Sequence, residues 1–142
     1  MKKFTILLLT LLTFQATCFA LPNPEYLRQD ALNSKIKEVA KVKSVKTDRR
    51  AGTLKFQTVT FITDDKTFKG KCVSQKRTLF HRRQIIGGLY FSPKKGELVY
   101  VTVKNDNGDI TTYQPLSESE AEKFKANPQK IRYSIGKAYL ED

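Results

Sequence analysis

A mainly β, α+β fold is predicted by three observations: runs of β-branched and aromatic residues of strand length recur along the chain, short turn signals separate them, and helical periodicity is confined to two places. Sequential strands joined by tight turns favour antiparallel pairing. The architecture expected is a small, strongly bent antiparallel sheet or partly open barrel of about six strands, with an N-terminal helix and a short helix before the last strand. An α+β sandwich, with the N-terminal helix lying across a curved sheet, is the alternative.

Before any of these elements comes an export signal. Met1-Lys2-Lys3 leads into an apolar run from Phe4 to about Phe14, then Ala16-Thr17-Cys18-Phe19-Ala20. The run is too short to span a bilayer as a helix, which takes roughly 20 residues. Cleavage is expected after Ala20, so residues 1–20 are a signal peptide and 21–142 one globular domain that is periplasmic or secreted. A lipoprotein signal would need apolar or small residues ahead of Cys18, and Gln15 and Thr17 stand there instead. Removing a 20-residue tag from 142 residues leaves 122, which suits one domain able to bury a core without metal or disulfide staples. No transmembrane segment is expected after cleavage.

The elements follow in order. Asn23-Pro24-Glu25 is a helix start: a capping Asn, Pro at the first helical position and an acid in the first turn. Leu27, Ala31, Leu32, Ile36, Val39 and Ala40 continue a helical stripe, so this helix is expected to reach the high thirties. Asp48-Arg49-Arg50-Ala51-Gly52 reads as a turn. Thr53 to Thr63 is the best strand, although its alternation changes phase between Leu54/Phe56 and Val59/Phe61. Such a slip marks a bulge, or a strand bending between two faces as in a small barrel.

Asp64-Asp65-Lys66 is a turn, and Thr67 to Ser74 a further strand. Ile85 to Phe91 is a strand interrupted by Gly87-Gly88, a sign of a bulge or close backbone approach. Leu98 to Val103, the hairpin signal Asn107-Gly108 and Ile110 to Tyr113 form a β-hairpin. Ser117-Glu118-Ser119-Glu120 is a capping box, with Leu116 and Ala121 placed as a hydrophobic staple, and the helix stops before Pro128. Ile131 to Ile135 begins a last strand that bends at Gly136.

Charge is the strongest functional signal. The whole chain carries a formal +12; the tag contributes Lys2 and Lys3 and no acid, so the domain carries +10. From Lys66 to Gly96 there are nine basic residues and no acid, whereas from Asp106 onward seven acids face five bases. Segregated charge points to an anionic partner, although a solvated lysine-rich surface produces the same composition.

Cys72 is the only cysteine left after cleavage and His81 the only histidine. Together they raise a thiol-nucleophile reading, which needs imidazole within reach of sulfur and a third group to orient it. The strand pattern opposes it. Phe68, Gly70 and Cys72 share one face and Lys69 and Lys71 the other, which places Cys72 in the core. A lone thiol cannot form an internal disulfide, so an intermolecular bond is the remaining alternative. Asp64-Asp65, Asp106 and Asp109 are turn residues without calcium-loop spacing, and Gly87-Gly88 lacks the helix that a phosphate loop requires. Structural zinc lacks a Cys or His cluster. No metal or other cofactor is expected.

The basic segment remains. Lys69, Lys71, Lys76, Arg77, Arg82 and Arg83 are the candidate anion-binding residues, with Leu79 and Phe80 interleaved. Lys41, Lys43, Lys46, Arg49 and Arg50 join them if the first hairpin lies nearby. The expected function is an exported, non-enzymatic binding or adaptor domain. Its basic face would meet an anionic polymer or acidic surface: nucleic acid, lipopolysaccharide, phospholipid or glycan. The alternatives are a component of an envelope or secreted assembly, including a virulence factor, that recognises a protein partner with charge incidental, and a Cys72-dependent enzyme.

Overall fold

The computed structural model describes residues 24–75 and 89–142. The expected signal peptide, and Lys76, Arg77, Arg82, Arg83, His81 and Gly87-Gly88, lie outside these residues.

Helix α1 (Pro24–Leu32) ends well before the high thirties, and strand β1 (Ile36–Ala51) begins where the helix is expected to continue. The stripe of Ile36, Val39 and Ala40 fits helical spacing, but pairing decides the matter. The first part of β1 runs antiparallel to β4 (Leu98–Val103) from Ile36↔Val103 to Lys41↔Leu98. Its remainder pairs with β2 (Leu54–Ile62) as far as Ala51↔Leu54. The turn expected at Asp48 to Gly52 therefore contracts to Gly52-Thr53, with Gly52 at φ 61°.

The register of β1 shifts twice against β2, between Val42 and Ser44 and between Thr47 and Arg49. By contrast, β2 pairs with β3 (Thr67–Gln75) without a shift, from Leu54↔Gln75 to Ile62↔Thr67. The phase change in β2 is therefore not a bulge of that strand: Leu54 and Phe56 lie on the face opposite Val59 and Phe61, and the bulges belong to its neighbour. Strand β5 (Gly108–Pro115) pairs antiparallel with β4 and parallel with β3 over Gly70↔Gly108 and Lys71↔Asp109.

The order β1-β2-β3-β5-β4 closes back on β1, giving a ring-like five-stranded mixed sheet rather than a clean barrel. The parallel β3–β5 seam departs from the wholly antiparallel pairing expected. Helix α2 (Glu118–Ala126) starts as the capping box predicts: the Ser117 hydroxyl accepts from Glu120 N, and the Glu120 carboxylate accepts from Ser117 N. The expected bent last strand is a small hairpin instead, β6 (Ile131–Tyr133) with β7 (Ala138–Leu140), and Gly136 in its connection has φ 68°.

Two apolar clusters hold these layers. Inside the ring lie Val42, Val59, Phe61, Phe68, Cys72, Val99, Val101, Val103 and Tyr113. The Phe61 and Phe68 rings stack at 5.1 Å. Outside it, Ala31, Tyr100, Phe124, Ile131 and Tyr133 join the helices and the small hairpin to the outer face. The Tyr100 and Tyr133 hydroxyls hydrogen-bond at 2.7 Å, satisfying two buried polar groups with one contact. A hydroxyl chain secures α1: Ser34 Oγ meets Thr111 Oγ1 at 2.6 Å, which meets Thr102 Oγ1 at 2.7 Å. Among the described residues, no helix is long and apolar enough to cross a membrane.

Candidate anion-binding surface

The alternation of β3 sorts its side chains as the strand pattern predicts. Phe68, Gly70 and Cys72 are buried, while Lys69 and Lys71 are exposed. Register then extends the surface sideways, because Lys46 on β1 pairs with Thr58 on β2 and Thr58 pairs with Lys71 on β3. Two inter-strand spacings, about 10 Å, thus separate the backbones of Lys46 and Lys71, and both side chains stand on the outer face. One step along, Arg49 pairs with Phe56. Its guanidinium lies over the Phe56 ring, 4.3 Å from the centroid.

The β4–β5 connection completes the site. Lys69 N donates to Asp106 Oδ1 at 3.0 Å, and Asn107 N donates to Lys69 O at 2.8 Å. These bonds fasten the loop tip to β3 and set Asn107 beside the lysines. Asn107 has φ 62°, the left-handed conformation that Asn tolerates in a tight turn. Lys46, Asp48, Arg49, Phe56, Thr58, Lys69, Lys71 and Asn107 together line an open groove of about 530 Å³.

Four cations against one carboxylate give this groove a formal +3. Among the described residues, Arg49, Lys69 and Lys71 enter no ion pair, and Lys46 stands 4.0 Å from Asp48. Uncompensated cations on a rigid sheet keep their donors available to an incoming anion.

Of the six candidate anion-binding residues, Lys69 and Lys71 are brought together on this face. Lys46 and Arg49, conditional on the first hairpin, are brought to them, and Lys76, Arg77, Arg82 and Arg83 lie outside the described residues. Asp48 and Asn107, which look like turn residues alone in the sequence, belong to the groove. Phe56 looks there like any other strand residue; its phase against Val59 and Phe61 is the signal that it faces outward.

Cys72 lies behind this face with 8 % of its surface exposed. Burial pushes its thiol up to about 12, away from the thiolate that nucleophilic chemistry needs. It lines a smaller hollow of about 240 Å³ with Phe56, Gln57, Lys71 and Asp109. Among the described residues, no three His, Cys, Asp or Glu side chains are grouped to hold a metal ion.

Comparison with protein-family models, curated proteins and solved structures finds no match, so the functional reading rests on the chemistry of this surface.

Proposed function

We propose that the protein is an exported, non-enzymatic binding module whose β2–β3 face and flanking loops hold an anionic polymer. The observation that carries this reading is the convergence of Lys46 and Arg49 from β1 with Lys69 and Lys71 from β3 on one groove. A solvated lysine-rich surface has no need of such register. Architecture supports the same placement: in five-stranded, partly open OB-type barrels, the face of the second and third strands and the loops after the first and fourth bind oligonucleotides and oligosaccharides. The buried thiol of Cys72 speaks against the enzyme alternative. Export rests on the charged, apolar and small-residue order of residues 1–20.

The deciding experiment reverses two charges. The Lys69→Glu/Lys71→Glu variant should keep the wild-type melting temperature and lose about tenfold or more in affinity for heparin and for DNA. Wild-type binding should also weaken steeply as salt rises, because each neutralised phosphate or sulfate releases counterions. Unchanged affinity in the variant would remove the anionic-polymer reading.

A second reading, recognition of a protein partner, is favoured by a groove of about 450 Å³ where the first part of β1 and β4 meet α2 and the small hairpin. Leu32, Val39, Tyr100, Phe124, Ile131 and Tyr133 supply most of its lining. Lys37, Glu38 and Lys125 also line it, so binding there would depend on salt less steeply than binding to the basic groove rather than not at all.

A further inference from the structure

Resting on that reading, we infer that the groove takes an acidic oligosaccharide, one carrying free hydroxyls beside its carboxylates or sulfates, in preference to a DNA strand. Two observations point there, and neither concerns the overall charge.

The first is the placement of Asp48. Thr47 pairs with Gln57 and Arg49 with Phe56, so Asp48 is the extra residue of a β-bulge. In a regular strand consecutive side chains point to opposite faces. The bulge instead presents Asp48 and Arg49 together to the groove, which is the re-aiming that such insertions provide. The Thr58 hydroxyl donates to Asp48 Oδ2, and the carboxylate keeps 41 % of its side-chain surface exposed.

An ionised carboxylate only accepts hydrogen bonds. On a surface that tracks the phosphodiesters of DNA it repels the ligand and finds no donor on that backbone. A sugar ring satisfies it with hydroxyl donors, while the ring's carboxylate or sulfate takes Arg49, Lys69 and Lys71. Asn107, with both a carbonyl and an amide, serves the same mixed donor and acceptor chemistry.

The second observation is what covers Phe56. Single-strand binders stack successive bases on open aromatic rings. Among the described residues lining this groove, Phe56 is the one aromatic, and the Arg49 guanidinium occupies a ring face at 4.3 Å. Stacking platforms in series are lacking here.

The test titrates the purified protein and its Asp48→Asn variant with a heparin hexasaccharide and an oligothymidylate of equal charge at physiological salt. The expected result is tighter binding of the hexasaccharide and about a fivefold loss of its affinity in Asp48→Asn, although the variant is more positive. Oligothymidylate affinity should stay level or rise in that variant. Equal binding of the two probes, or tighter hexasaccharide binding by Asp48→Asn, would overturn the oligosaccharide inference and leave the anionic-polymer reading standing. Binding of both probes no tighter than that of Lys69→Glu/Lys71→Glu would overturn both together.

Discussion

Gly70 and Gly108 stand directly opposite each other where β3 meets β5, and this pair begins the parallel seam that closes the ring. A Cβ on Gly70 would lie 2.5 Å from Ile110 Cγ1 and 3.4 Å from Phe61 Cε2, so the Ile110 side chain fills the space that a side chain at Gly70 would need. Gly70→Ala should therefore destabilise the protein by about 1–3 kcal/mol, read by chemical denaturation. Combining it with Ile110→Ala, which removes the clashing atom, should give a loss smaller than the sum of the two. Strict additivity would mean that the glycine is not required by contact with Ile110.

Alkaline titration probes the inside of the ring. The Cys72 thiol, ordinarily near 9, is raised to about 12 by burial, so an unfolded chain releases this proton well before the folded one does. Stability is then full below about pH 9 and falls as pH rises towards 12, by up to about 1.4 kcal/mol per unit. Tyr100 and Tyr113 are raised in the same sense, chiefly by burial, and add to the fall above about pH 10. Cys72→Ala should flatten the decline between about pH 9 and 10. Rapid alkylation of the native thiol near neutral pH would contradict its burial.

Ser117 and Glu120 satisfy two helix-end donors reciprocally at the start of α2. Ser117→Ala should reduce stability by about 1 kcal/mol, measured by thermal melting. Groove binding should be unaffected, since no residue of α2 lines the groove.

Arg49 separates structure from recognition. Its contact with the Phe56 ring is solvent-facing and worth about 0.5–1 kcal/mol, so Arg49→Ala should fold almost normally. The logarithmic salt dependence of DNA binding should become shallower by about one unit, the signature of one lost phosphate contact. An unaltered slope would place Arg49 outside the contact surface.

Much of this surface is legible in the sequence because β3 alternates cleanly: the single run Phe68-Lys69-Gly70-Lys71-Cys72 assigns both the core and the cations. The capping box at Ser117 and the turn at Asn107-Gly108 are equally plain, since each depends on residues within three or four positions. What escapes depends on partners distant in sequence. Ile36, Val39 and Ala40 fit a helical stripe, and pairing with Leu98 to Val103 overrides it. Asp48 has the chemistry of a turn residue, and only the register of its neighbours against Gln57 and Phe56 reveals a bulge within a strand. Lys46 and Arg49 join Lys69 and Lys71 only because β1 continues through that bulge.

The long strand β1 serves β4 with its first part and β2 with its remainder. During folding, the β2–β3 hairpin can form from neighbouring residues, but Ile36 must wait for Val103, far along the chain. Distant pairings of this kind are slow to form. Until they do, the first part of β1 is an unsatisfied strand edge with apolar residues beside it, the kind of template on which chains aggregate. The lysines interspersed along it, Lys37 and Lys41, place repelling charge on that edge during the interval.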